Sequence, residues 1–123
     1  LTLIEMDADF ARLLTQRFAG AAVHRAGAQE AARFAAPASI GAIVSGLPLL
    51  SMPDPVVEAV LRAALTVLAP GGEIRQFTYG PKAPISPDMM QSFGLVATRM
   101  KKVWANVPPA RVYAFRRKGE AAA

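Results

Sequence analysis

IGAIVSGLPLLSMPDPVVEAVLRAALTVLAPGGEIRQFTYG, residues 40–80, decides how this chain folds. Residues 40–44 are a short apolar run of the kind that forms a strand buried on both faces. Residues 54–68 then change period: Val56, Val57, Val60, Leu61, Ala64, Leu65 and Leu68 recur at helical spacing. Asp54 stands where an N-cap is expected, and Pro55 occupies the first turn, where a missing N–H costs nothing. The glycines of APGG stop the helix, and EIRQFTYG begins a second strand. Strand, long helix, strand is a parallel crossover unit.

Working outward, the pattern repeats. LTLIE (residues 1–5) is a strand, and DADFARLLTQRF (7–18) is a helix with Asp7 as N-cap and Phe10, Leu13, Leu14 and Phe18 on one face. AAVHRAG (21–27) is a weaker strand and AQEAARFAA (28–36) a short helix closed by Pro37. Beyond residue 80, PKAPISPDMMQS (81–92) is a proline-punctuated loop with room for one helical turn. LVATRMKKVWANVPPARVYAFRRK (95–118) is a hairpin turning around Asn106, Val107, Pro108 and Pro109. Such alternation predicts an α/β fold, a mostly parallel sheet with helices on both faces and an antiparallel C-terminal pair. One domain is expected over residues 1–118, with 119–123 a flexible tail.

Composition narrows the chemistry. The chain has 123 residues, 53% of them hydrophobic, so it can build one core and not two. It has no cysteine and a single histidine, His24. Disulfides, thiolate zinc, a cysteine nucleophile and a multi-histidine metal centre are thereby excluded, and a reducing compartment fits. Ser39, Ser45, Ser51, Ser86 and Ser92 lack a nucleophile-elbow setting. No apolar run reaches the ~20 residues a spanning helix needs, and no signal peptide is visible. The net charge is +5, with Arg99, Lys101, Lys102, Arg116, Arg117 and Lys118 gathered near the end. This suits an anionic partner, and equally a solvated strand edge.

In parallel α/β sheets ligands lie beyond the carboxyl ends of the strands. Four places qualify: Glu5 with Met6, residues 25–28, residues 45–49, and residues 78–80. A carboxylate at Glu5 can accept from both hydroxyls of a ribose; it can also serve simply to start the following helix. Gly46 permits close backbone approach, and Pro48 removes an N–H, so that carbonyls near Ser45, Gly46, Leu47 and Pro48 can face an amine. Leu47, Leu49, Leu50 and Met52 would wall it with aliphatic carbon. A plain strand-to-helix connection has the same pattern. Tyr79 can turn its ring or hydroxyl to a ligand or to water. Trp104 and Phe115 read as core or sheet-face residues. No glycine-rich loop follows any strand, so the dinucleotide fingerprint is not met.

LTLIEMDADFARLL, IVSGLPLLSMP, VLAPGGEIRQFTYGP and VWANVPPARVYAFRR together resemble the bacterial phospholipid N-methyltransferases, which are class I S-adenosylmethionine-dependent enzymes. SGLPLLSMP, QFTYGP and VWANVPPARVY are the most specific parts. The resemblance implies a Rossmann-like sheet of order 3-2-1-4-5-7-6, with strand 7 antiparallel. On that template residues 1–5 are strand 2, and strand 1 with its glycine-rich loop would precede Leu1. The cofactor implied is S-adenosyl-L-methionine, held by Glu5, Met6, Gly27, Ala28, Gln29 and Ser45. The acceptor amine would be positioned through backbone carbonyls of Ser45, Gly46, Leu47 and Pro48, with Leu49, Tyr79, Arg99 and Lys101 toward the substrate. The implied reaction is N-methylation of phosphatidylethanolamine towards phosphatidylcholine. The implied setting is a cytoplasmic protein peripherally bound to an anionic inner-membrane surface, with no metal.

Two other readings remain. An rRNA adenine N6-dimethyltransferase shares the fold, but its acceptor loop carries an asparagine and a stacking aromatic, where this chain has Gly46-Leu47-Pro48-Leu49. An aliphatic loop fits a lipid amine better than a flipped base. A non-catalytic Rossmann-like interaction module is the second.

Overall fold

A computed structural model describes residues 1–105 and 109–121, all but the side chain of Arg99. Its elements follow the expected order: β1 (Thr2–Glu5), α1 (Ala8–Arg17), β2 (Ala22–Arg25), β3 (Ile40–Ser45), α2 (Asp54–Val67), β4 (Leu68–Tyr79), α3 (Pro87–Ser92), β5 (Leu95–Val103) and β6 (Ala110–Arg117). Single 3₁₀ segments occupy Ala28–Arg33 and Leu49–Ser51. Of the expected hairpin turn, Asn106, Val107 and Pro108 lie outside the described residues.

The strands form two sheets. β1 and β2 pair in parallel, and the other sheet has the order β3-β4-β6-β5. β3 and β4 are parallel, while β6 runs antiparallel to both β4 and β5. Laid side by side these read β2-β1, then β3-β4-β6-β5. That is the expected 3-2-1-4-5-7-6 order with its central strand left out, and the sheet breaks at that place. The chain winds one way from β1 to β2 and the other way from β3 to β4. With right-handed crossovers, α1 and α2 therefore fall on opposite faces.

The core lies under α2. Leu49, Val57, Leu61, Leu68, Ile74, Ile85 and Phe115 form its buried cluster. On β4 the alternation is clean: Ile74, Gln76 and Thr78 are buried while Arg75 and Tyr79 are exposed. The 3₁₀ segment Ala28–Arg33 packs on α2 and ties the two-stranded part to the rest.

Three local expectations change. Asp54 is not the cap of α2. Pro53 takes that position, its carbonyl accepting from the N–H groups of Val56 (2.9 Å) and Val57 (3.1 Å), and Asp54 is the first helical residue, where its charge favours the helix dipole. Val56 faces out, and Ala63 and Val67 join the buried face. Lastly, β4 starts at Leu68, with APGG inside the strand, because Leu68 already pairs with Ile40. The register then shifts, Gly71 takes a positive φ of 76°, and Gly72 sits too close to the Gly41 and Ala69 carbonyls for any side chain. The carbonyls freed at this turn are met by Arg117, whose guanidinium donates to Leu65, Leu68 and Ala69. Glu120, in the segment expected as tail, accepts from the Gly71 N–H at 2.8 Å.

α1 is capped as expected. The Asp7 carboxylate accepts from the N–H groups of Asp9 and Phe10, both at 2.9 Å. Its apolar face is not buried, however: Phe10, Leu13 and Phe18 are 61%, 51% and 44% exposed, and Ala11 is the buried residue of the helix.

Candidate functional site

In the order set out above, the carboxyl ends of β1 and β3 flank the break between the two sheets, where the winding direction reverses. Such reversal points are where open α/β sheets bind ligands, because the loops diverge and leave a crevice.

On the β1 side, Glu5 closes its strand next to Arg25 of β2. One carboxylate oxygen accepts from the Asp7 N–H at 3.0 Å. Glu5 thus does help start α1, and its other oxygen remains available for a second donor. Met6 follows at the tip, 65% exposed. Across β2, the loop at Gly27 is organised by Glu30, whose carboxylate accepts from the Gly27 N–H (3.2 Å) and from Arg33. The Arg33 hydrogen bond first, and the Gly27 N–H second, hold the Glu30 carboxyl below its ordinary pKa. Gly27 is buried, Ala28 half-buried and Gln29 exposed, with the Gln29 amide folded back over Gly27. The Gly27 N–H is thus committed to Glu30, and the Gly27 carbonyl accepts from the Glu30 N–H at 3.0 Å. His24 stacks on Phe34, ring centroids 4.0 Å apart.

On the β3 side, the loop is more self-contained than its sequence suggests. The Ser45 hydroxyl accepts from the Leu47 N–H at 3.3 Å. The Leu47 carbonyl accepts from the Leu49 N–H (2.9 Å) and from the Gln76 amide (2.8 Å), and the Pro48 carbonyl from the Ser51 N–H (2.9 Å). Of the carbonyls expected to orient an amine, that of Leu47 thus has both lone pairs used, while that of Pro48 accepts one hydrogen bond and keeps a second lone pair. Gly46 is exposed, with open space where a Cβ would stand. Leu49, expected on the substrate wall, is a core residue at 5% exposure beside Val57, Leu61 and Ile85. Leu47 and Met52 pack against the same cluster, while Leu50 is exposed. The two prolines and the glycine thus fold an apolar run back onto its own core.

Gln76 is the residue sequence reasoning missed. It is 2% exposed, and its amide donates to the carbonyls of Leu47 and Phe77 (2.9 Å), clamping the β3 loop to β4. Its signal was available: a polar residue at an inward position between Ile74 and Thr78. At the end of β4, Tyr79 is 53% exposed and meets Phe77 edge-on at 5.0 Å. Arg111 holds the next turn, donating to the Gly80 carbonyl at 3.0 Å. Lys101 is exposed on β5, and the Arg99 side chain lies outside the described atoms. Trp104, expected in the core or on a sheet face, is 70% exposed.

Two cavities lie at the opposite, amino-terminal end of the larger sheet. One, of about 490 Å³, is lined by Gly41, Gly71, Glu73, Arg75, Thr98 and Arg116; the other, of about 640 Å³, lies between α3 and the hairpin. Neither is lined by Glu5 or by residues 45–49. Among the described residues, no group of His, Cys, Asp or Glu is placed to hold a metal ion, and no helix is long and apolar enough to cross a membrane.

No family model matches the chain, and no curated protein does. Solved structures do match. A SAM-dependent methyltransferase from Leishmania major superposes with a TM-score of 0.75 at 15% identity, over 94% of this chain and 54% of that one. The N-methyltransferase NodS from Bradyrhizobium japonicum WM9 gives 0.74 at 15% identity, over 95% of this chain and 72% of its own. The 1,6-didemethyltoxoflavin-N1-methyltransferase of Burkholderia thailandensis, solved with S-adenosylhomocysteine, gives 0.70 at 11% identity, over 94% and 60%. The fold is that of the class I SAM-dependent methyltransferases. The chain spans little more than half the length of the first of these structures, at 54%.

Proposed function

We propose that this chain is the larger part of an S-adenosylmethionine-dependent N-methyltransferase whose acceptor is the amine of phosphatidylethanolamine. The observation that carries the enzyme class is the sheet order, interrupted between Glu5 and Ser45, in a fold shared with SAM-dependent methyltransferases over nearly the whole chain. The lipid acceptor rests on the aliphatic, proline-stiffened segment 45–52 and on the likeness of SGLPLLSMP and VWANVPPARVY to phospholipid methyltransferases. We further propose that a strand with its own loop fills the break and completes the crevice.

The residues present fit the cofactor in part. Glu5 keeps one carboxylate oxygen for ribose hydroxyls, and exposed Met6 can lie against the adenine. Residues 27–29 are left with contact through Ala28 or the exposed Gln29 side chain, since the Gly27 N–H is taken. When bound, the cofactor supplies an electrophilic methyl group on a sulfonium. The task left to the chain is positioning, which can supply much of the rate enhancement of a bimolecular displacement. The acceptor must present a neutral nitrogen, so its proton leaves to solvent before attack. Of the carbonyls first expected to orient it, those of Ser45, Gly46 and Pro48 are the candidates, because that of Leu47 already accepts two hydrogen bonds. Gln76 would act as a positioning residue, fixing the loop that carries them.

The test is direct. The protein encoded by the complete reading frame, given methyl-labelled cofactor, should label phosphatidylethanolamine in vesicles and leave rRNA unlabelled; label on RNA alone would overturn the lipid assignment. In the same protein, Glu5→Ala should weaken cofactor binding by about tenfold or more, the ~1.5–3 kcal/mol of hydrogen bonds to a charged group. Its unfolding midpoint should barely move. Unchanged affinity removes Glu5 from the site.

A further inference from the structure

The hairpin β5–β6 carries features that neither the fold nor the cleft uses. Trp104, one residue past the end of β5, is 70% exposed. Lys102 holds its ammonium 5.1 Å from the centre of the indole ring, and Lys101 is exposed on the other face of the same edge strand. Met100 (46% exposed) shares the sheet face of Lys102, and Tyr79 (53%), in one row with Ala110 and Val103, shares that of Lys101. The charge here is one-sided, for no Asp or Glu occurs between residues 89 and 119.

The topology gives this patch a direction. β4 and β5 are both antiparallel to β6, and β3 is parallel to β4. The carboxyl ends of β3, β4 and β5 therefore emerge at one end of the sheet. Trp104 stands at the same end as Ser45, Gly46 and Tyr79, and away from both cavities.

We infer that this hairpin end is the membrane-docking element, with Trp104 seated at the headgroup level of an anionic bilayer and Lys101 and Lys102 against its phosphates. The inference rests on the lipid-substrate reading above and adds the surface that brings the crevice to the lipid. Indole rings with neighbouring lysines are what the water–bilayer boundary selects, because the ring has an apolar body and a polar N–H. Single-stranded nucleic acid is the other anion that reads lysine and tryptophan. It needs a free ring face for stacking, repeated along a groove. Here Lys102 already covers a face of the one indole, and the exposed side chain sharing the face of Lys102 on the strand is the Met100 thioether.

The chain has one tryptophan, so its fluorescence reports on this site alone. Vesicles of mixed phosphatidylglycerol and phosphatidylcholine should shift the emission to the blue, and brominated lipid should quench it; phosphatidylcholine alone should do neither. Replacing both exposed lysines, Lys101→Gln with Lys102→Gln, should weaken co-sedimentation about thirty-fold, two increments of the surface attraction of a basic residue. Trp104→Ala should lower co-sedimentation further than removal of an exposed residue elsewhere, such as Leu1→Ala. An unmoved emission with anionic vesicles overturns the proposal, and so does undiminished binding of the double variant. A response to single-stranded RNA without one to vesicles reassigns the surface to nucleic acid. If the complete protein methylates phosphatidylethanolamine in detergent micelles while the emission ignores bilayers, the docking element falls and the substrate reading stands. Docking without methylation of any lipid has the opposite meaning.

Discussion

The two sheets of this molecule answer the same sequence pattern differently. Around β3-β4-β6-β5, apolar residues at helical and strand spacing end up inside: Val57 and Leu61 of α2, Ile74 of β4 and Phe115 of β6 are all 4% exposed or less. Around β1-β2 the spacing is as regular, yet Phe10 and Leu13 of α1, and Phe18 at its C-cap, stand in solvent. The difference lies in what flanks each helix. α2 has a four-stranded sheet beneath it, whereas α1 has two short strands and an open sheet edge. Period identifies the face of a helix that wants cover; it carries no information about what provides the cover.

The contrast breaks most sharply at Phe115. It is 2% exposed and stacks with Tyr113 under α2. Phe115→Ala should cost about 3–5 kcal/mol, the range for emptying an aromatic site in a core. Chemical denaturation of the two proteins measures it, and a loss below 1 kcal/mol would mean that the larger sheet is no better packed than the smaller. Next comes Arg117, which serves three carbonyls where α2 passes into β4. Arg117→Leu leaves those acceptors half-buried and unpaired, for an expected cost of about 1–3 kcal/mol. Amide exchange should quicken around residues 65–71 and not in β1. Uniform exchange would show that the clamp is not local.

Most of the fold was legible before any coordinates, for physical reasons that differ by element. The crossover of residues 40–80 was clear because period, length and turn chemistry agree there. The Asp7 cap of α1 was equally clear, as a short-range hydrogen-bond pattern written in adjacent residues. What local sequence could not supply were bonds reaching across the chain. Arg117 lies about fifty positions from the carbonyls it meets, and Gln76 lies 29 from Leu47. The similarly distant pairing of Leu68 with Ile40 is why β4 begins before its glycines, and the Gln76 bond is why part of the expected carbonyl array is occupied. Leu49 shows the same limit: a leucine in a proline-rich loop looks like a wall for a ligand until Val57, Leu61 and Ile85 are seen around it.

A smaller effect separates the halves from the other side. Leu13→Ser on α1 exchanges one exposed apolar side chain for a polar one, and its cost should stay within about 0.5 kcal/mol. A loss comparable to that of Phe115→Ala would mean that α1 is covered in solution and would erase the comparison.

The least effect is expected at the joint itself, where the segment Ala28–Arg33 packs on α2. Glu30 accepts there from Arg33 and from the Gly27 N–H, and these bonds lower its pKa. A carboxyl whose pKa is lower folded than unfolded stabilises the fold above its unfolded pKa and loses that contribution as pH falls through the folded value. Glu30→Gln should therefore be less stable than the parent at neutral pH, with the gap closing on acidification through and below the ordinary glutamate range. Because Arg33 and Glu30 are on the surface, salt should shrink the gap as well. Equal stability of the two proteins at every pH and salt concentration would mean that neither the charge nor the second acceptor oxygen contributes, since glutamine preserves the size of the side chain. The joint would then be held by the packing of Ala28–Arg33 on α2 alone, and the two halves would be coupled through apolar contact.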